Sequence, residues 1–494
     1  MKAICKPSGM AALLLLSALA GCASLDPMQA ARVSARGVPS ECLSWYQTLD
    51  AAVDQAGVRD AQAGRIVGFP YLRMDRFSAS LRDPALAGRS AFDALVDRMQ
   101  ALDLEARRLE IANLPPDARE RSVDASVART VECGRQLRMS DLDVPGVSEL
   151  LLERLTVPDD YVTGYRIAGL YALARIPFAA GVRRHIEETR AAFGRDLDKT
   201  AQGVVLRYSP ASRPRIQADE LGAIFARIAQ NPLKVPQPAN EDLEKLFGVY
   251  APSFEVETAG DYDRPGALRW RWGPIPEVDS TDPAVYRQVA HTRYHGVNLL
   301  QLVYTVWFPE RPAQGQNDLL AGMLDGVVFR VTLAPDGSPV LYDTMHPCGC
   351  YHMFFTTPRA APLPAPEGEI EWAFVPQKLR ALGPQDRLVV RIASRTHYVD
   401  RVYRDQDDSI VRYEPRAYDE LRSLPRMRGG SQSVFGTDGI IAGTERGERF
   451  LFWPMGIENA GAMRQWGHHA TAFIGRRHFD DADLLERRFT LDLQ

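Results

Sequence analysis

The sequence predicts an α+β protein: an N-terminal α-helical domain followed by a β-rich C-terminal domain, a sandwich or partly open barrel. Three observations carry this reading. From Glu41 to about residue 230, apolar residues recur at three- and four-residue steps, the period of one helical face. Beyond about residue 245 they alternate instead, or gather into β-branched and aromatic runs. Between the two, residues 231–244 are Pro-rich and lack a period, as a linker would. A length of 494 residues is also too great for one typical core.

The first residues form a targeting segment. Lys2 and Lys6 supply a positive start, Met10 to Ala20 is short and apolar, and small residues follow. The stretch is too short to span a bilayer. Its end, Leu19-Ala20-Gly21-Cys22, resembles the lipobox of bacterial lipoproteins. That resemblance covers about the first 25 residues. It implies cleavage after residue 21 and a diacylglycerol on the Cys22 thiol, hence a partner in the membrane. Ala23 stands where an aspartate would indicate retention at the inner membrane. The resemblance therefore implies an outer-membrane anchor facing the periplasm, with an inner-membrane anchor as the alternative. Residues 22–40 read as a tether.

The helical elements follow in order. Cys42, Trp45, Leu49, Val53 and Ala56 form one amphipathic face, broken at Gly68-Phe69-Pro70. Ser90 caps a second helix with Phe92, Leu95, Met99 and Leu102 inward. A third covers 117–137, and Pro145, Pro158 and Pro177 punctuate three more. The last, Val182 to Phe193, carries His185 on a charged face, so His185 reads as a solvated residue.

The strand elements begin at 254–258. Leu268 to Trp272 alternates, which would place Trp270 and Trp272 on one core-facing side. Leu299 to Phe308 reads as a buried strand. Residues 326–333 and 340–344 form a hairpin across Asp336-Gly337. Strands are also expected at 370–375, 387–393, 410–413 and 449–453, with a short capping helix over 480–489.

Net charge is −4, with 59 basic and 63 acidic residues interleaved, so there is no electrostatic case for nucleic acid. No Gly-x-Ser-x-Gly, P-loop, dinucleotide or EF-hand motif occurs. Cys42, Cys133, Cys348 and Cys350 lie beyond the lipobox, an even number that suits an oxidising compartment. Cys42–Cys133 and Cys348–Cys350 are the candidate bridges.

Chemistry concentrates in His346-Pro347-Cys348-Gly349-Cys350-Tyr351-His352. Three uses compete for it. Two cysteines one residue apart suit a tight disulfide. His346, Cys348, Cys350 and His352, joined by His469, could ligate Zn or, as a Cys-x-Cys pair, Cu(I), if Pro347 and Gly349 curl the chain. A redox thiol pair is the third use. His291 and His295 have the i,i+4 spacing of zinc proteases, but Thr292 replaces the glutamate, and Gly296 argues against a helix. His397, His468 and His478 are further neighbours to place. Two functional classes remain. One is an envelope protein that binds a ligand or metal, or scaffolds protein partners. The other is a metal-dependent or thiol-redox enzyme built on the 346–352 loop.

Overall fold

A computed structural model describes residues 26–34, 39–119, 121–197, 203–212, 214–383, 386–404 and 411–494. The lipobox and Cys22 lie outside them. The first part is helical, as the three- and four-residue spacing requires. Helices α1 (Ser40–Ala56), α2 (Arg89–Asn113) and α3 (Val123–Leu142) pack around a hairpin of strands Gly64–Ile66 and Phe69–Met74. Tyr46, Phe69, Leu72, Leu95, Met99 and Leu137 form their core. The expected Cys42–Cys133 disulfide joins α1 to α3. Inside this unit Arg73 is fully buried and pairs with Asp103 (3.1 Å) and Glu110 (2.8 Å), so the buried charges are compensated.

The second part is a mixed sheet of eleven strands. In chain order they are β1 (Val204–Pro210), β2 (Ser253–Thr258), β3 (Ala284–Tyr294), β4 (Val297–Arg311), β5 (Gly322–Leu333), β6 (Pro339–Met345), β7 (Met353–Thr356), β8 (Gln377–Lys378), β9 (Leu388–Ile392), β10 (Val399–Arg404) and β11 (Val411–Ala417). Their spatial order is β8-β7-β6-β5-β4-β3-β11-β1-β2-β9-β10. From β3 to β7 each strand pairs antiparallel with the next. His295 and Gly296, both at positive φ, make the two-residue β3–β4 turn, which excludes the helix a zinc-protease pair would need. The two edge strands meet through one side chain. Gln377 of β8 donates to the Val402 carbonyl (2.6 Å) and accepts from the Val402 N–H (3.2 Å) of β10. The sheet is thus a nearly closed barrel, and its two exposed edges cap each other.

Phe254, Leu302, Tyr304, Phe329, Val390 and Val402 share one core with helices α6 (Ala218–Ile228) and α7 (Asn240–Tyr250). The helical and β-rich parts are tied by buried ion pairs. Arg422 pairs with Asp60 (2.7 Å) and Glu105. Arg76 pairs with Asp160 (3.2 Å) and Asp480 (3.3 Å).

Four local expectations are corrected. Residues 449–453 are helical, not a strand: α8 (Arg449–Phe452) closes on itself through Leu451 and Phe452 N–H bonds to the Glu448 carbonyl, both 2.9 Å. A short apolar run cannot distinguish the two states by pattern. Residues 370–375 form no strand: the Phe374 carbonyl accepts from Phe354 N–H (2.9 Å), but the Trp372 carbonyl is taken by the Arg477 (2.9 Å) and Arg488 (3.0 Å) side chains instead of a neighbouring strand. Trp270 is buried but Trp272 is exposed, because the strand ends at Arg269 and the alternation ends with it. Pro177 lies inside α5 (Tyr171–Phe193) rather than at a break. Proline has no N–H to give the Leu173 carbonyl, a cost that is least on an exposed stretch of helix such as this one, where Leu173 is bare.

Candidate functional site

The 346–352 segment connects β6 to β7 and folds back on itself. His346 N–H bonds the Cys350 carbonyl (3.0 Å), and Gly349 N–H bonds that of His346 (2.8 Å). Gly349 sits at φ +90°, and a Cβ there would lie 2.5 Å from the Ala470 carbonyl oxygen. Glycine is needed for both reasons. From the other side, Arg464 N–H bonds the Pro347 carbonyl (2.9 Å).

The curl does not gather the expected metal ligands. His346 turns its Nδ1 to Asp325 Oδ1 (3.1 Å), and His352 turns its Nε2 to Asp343 Oδ2 (2.9 Å). Those aspartates lie on different strands, so the rings diverge. His469 is buried beside Trp466, and burial pushes its pKa down to about 3. Cys348 and Cys350 are free thiols facing each other. Among the described residues no group of three or more His, Cys, Asp or Glu can hold a metal ion. The residues expected to bind Zn or Cu, His346, Cys348, Cys350, His352 and His469, are thus not brought together as one ligand set.

The remaining histidines are spoken for. His291 is stacked on Phe77 and bonded to the Pro236 carbonyl (2.8 Å). His468 turns to Asp160 (2.7 Å), as does His478 (3.1 Å). His185 is not solvated: it packs against Tyr351 and Tyr398, with ring centroids at 5.2 and 5.8 Å.

Two cavities meet at that aromatic wall. The larger, about 460 Å³, is walled by Phe178, Val182, Phe374, Phe452, Ile457 and Phe473, and reaches Cys348, Cys350, Glu448 and Glu371. The smaller, about 360 Å³, is polar and reaches His346, Thr344, Glu188, Arg395 and Asp400. His185, Tyr351, Met353 and Tyr398 face both. Both volumes fall in the range of small-molecule sites.

Polar groups around the wall are held in unusual states. Burial drives the Glu448 carboxyl up to about 7. In the thiol pair, the hydrogen bond from Cys350 holds Cys348 below the usual thiol range, and the same bond with burial pushes Cys350 well above it. Burial lowers His346, so its neutral ring donates Nδ1–H to Asp325 and leaves Nε2 as an acceptor. That Nε2 is buried without a partner, and His346 is among the residues lining the polar cavity. Asp325 also accepts from His397 Nδ1 (3.0 Å). His397 stands 3.4 Å from Asp263, and these two carboxylates raise its pKa against the effect of burial. Leu324, Tyr351, Arg395 and His397 all have positive φ. Non-glycine residues in that region cost about 1–3 kcal/mol each and gather at functional sites.

No family model, curated protein or solved structure matches this chain. The site therefore rests on its own geometry. Sequence reading found its loop but missed Asp325, Glu448, Glu371 and Phe178. Each comes from a separate segment and carries no local motif. Tyr351 was signalled with the rest of the 346–352 stretch, and Tyr398 only as the neighbour of His397.

Proposed function

We propose that this chain is a lipid-anchored envelope protein, attached through Cys22 to the outer membrane and facing the periplasm, whose barrel binds an amphipathic small molecule. The paired cavity carries this reading. An apolar chamber and a polar chamber adjoin at His185, Tyr351, Met353 and Tyr398, and a ligand reaching past those side chains would set its apolar part against Phe178 and Phe452 and its polar group toward His346, whose Nε2 lacks a partner. A group that donates a hydrogen bond suits that nitrogen, since leaving it unpaired costs about 1–3 kcal/mol. Scaffolding of envelope proteins is compatible with the same anchor.

Gly181 offers a clean test. It lies on α5 at the apolar cavity, and a Cβ there meets nothing within 4 Å. Gly181→Phe should fill the chamber without straining the fold and should raise helix propensity by several tenths of a kcal/mol. The expected result is micromolar binding of a fluorescent fatty-acid probe to the full chain, weakened at least ~10-fold (~1.4 kcal/mol) by the substitution. Unchanged binding in the variant, or none in the wild type, sinks the reading.

The thiol pair favours a second reading, thiol–disulfide exchange. The Cys348 thiolate would attack a disulfide sulfur, releasing one thiolate and leaving a mixed disulfide. Cys350 would then displace the second thiolate and close Cys348–Cys350. Turnover of a small aromatic disulfide with a thiol reductant, lost in Cys348→Ser, tests it.

A further inference from the structure

Helices α4 (Thr163–Ala168) and α5 present a row of bare apolar side chains. Leu170, Leu173 and Ile176, at helical spacing, are each about two-thirds exposed. Phe450 and Leu451 of α8 are likewise exposed beside them. The two elements are one surface. The Tyr165 and Trp453 rings meet edge to face at 6.2 Å, and Phe178 meets Phe452 at 5.1 Å. Apolar side chains exposed together on neighbouring elements mark candidate interaction surfaces.

We propose that this patch rests on an anionic phospholipid bilayer, which is also the source of the amphiphile. The proposal deepens the binding reading above and rests on it for the ligand's origin. Four observations select a bilayer as the occupant. Residues 163–186 and 449–457 contain arginines (166, 175, 183, 184 and 449) and no aspartate or glutamate, and α5 stays net basic although Glu187 and Glu188 follow and Glu188 pairs with Arg184 (2.8 Å). A basic apolar helix with interfacial aromatics is the composition of a segment lying in the headgroup region, and Tyr165 and Trp453 supply the aromatics. None of the described helices is long and apolar enough to cross a membrane, so contact with a bilayer through this patch would be at its surface. The back of the same surface, Phe178, Val182 and Phe452, is the wall of the 460 Å³ cavity. Reach agrees as well. Asp26 is paired with Arg154 (2.9 Å). Four residues separate Cys22 from Asp26, at most ~14 Å, and eight separate 154 from 162, at most ~28 Å. One bilayer can therefore hold the acyl anchor and receive the patch.

The test uses the full chain in vesicles of phosphatidylethanolamine and phosphatidylglycerol with brominated acyl chains. Trp453 emission is taken as the difference between wild type and Trp453→Phe. The expected result is quenching of Trp453 by shallow bromines. A second chain, Leu173→Glu/Ile176→Glu/Phe450→Glu, changes only exposed positions. It should keep its far-UV circular dichroism while patch contact falls at least ~10-fold, equal to ~1.4 kcal/mol. The mass of the Cys22 peptide reports acylation separately. Acylated protein with unquenched Trp453 overturns the docking and leaves the anchor standing. Quenched Trp453 on protein without an acyl group supports the docking and removes the anchor. Cross-links between two copies across the patch, without quenching, also overturn it.

Discussion

Glu448 is the sharpest handle on the site. It is 5% exposed, lies at the cavity beside Cys348 and Cys350, and sits among Arg446, Arg311, Asp325 and Asp318. Burial outweighs the two arginines and raises its carboxyl from 4.5 to about 7. The sign follows directly. Between these values the folded chain holds a proton that the unfolded chain has released, so stability falls as pH rises. Each tenfold change in proton affinity is ~1.4 kcal/mol, so the whole interval accounts for ~3 kcal/mol. This stabilisation is fully present below about pH 4.5 and gone above about pH 7. Glu448→Gln keeps the shape and removes the titration. Urea unfolding of both chains from pH 4 to pH 8 should show wild type losing ~3 kcal/mol relative to the variant, with a plateau above about pH 7. A constant difference across that range would mean that Glu448 ionises like an exposed carboxylate, and its burial beside Cys348 and Cys350 would fall with it.

Two further outcomes follow from the loop and the disulfide. Gly349→Ala should lower the thermal midpoint and expose Cys348 and Cys350 to alkylation. Its Cβ enters the Ala470 carbonyl at a backbone angle that disfavours alanine, a cost of at least ~1 kcal/mol; an unchanged midpoint refutes the tight clasp. Cys42→Ser/Cys133→Ser should cost about 4–5 kcal/mol in denaturant unfolding, from a loop of 91 residues. Alkylation of the denatured chain without reductant should label the 348–350 peptide and spare those of 42 and 133.

The architecture was legible because it is written in local periods. Leu95, Met99 and Leu137 sit where helical spacing puts them, and the Asp336-Gly337 turn joins β5 to β6 as its chemistry requires. The loop 346–352 was legible as a concentration of reactive side chains. Its use was not. Four potential ligands in seven residues suggest a metal, yet His346 and His352 answer to Asp325 and Asp343, which lie outside the loop. A histidine's partner is set by sheet register, and register is a long-range property. Apolar runs outside regular alternation, such as Phe450 to Trp453, failed for the complementary reason: their local signal fits helix and strand alike.

By itself, the sequence determined that a helical unit precedes a β-rich one, that Cys42 and Cys133 are candidates for a bridge, and that Pro347 and Gly349 allow the 346–352 stretch to curl. These follow from side-chain period, cysteine number and glycine conformation, all encoded within a few residues. Only the tertiary structure decided that the barrel closes through Gln377, that His185 of a helix meets Tyr351 of a loop, and that Glu448 shares a cavity with two thiols. Those facts join residues tens to hundreds of positions apart. They exist only once packing has chosen neighbours, because burial and hydrogen-bond partnership, unlike periodicity, belong to the assembled core.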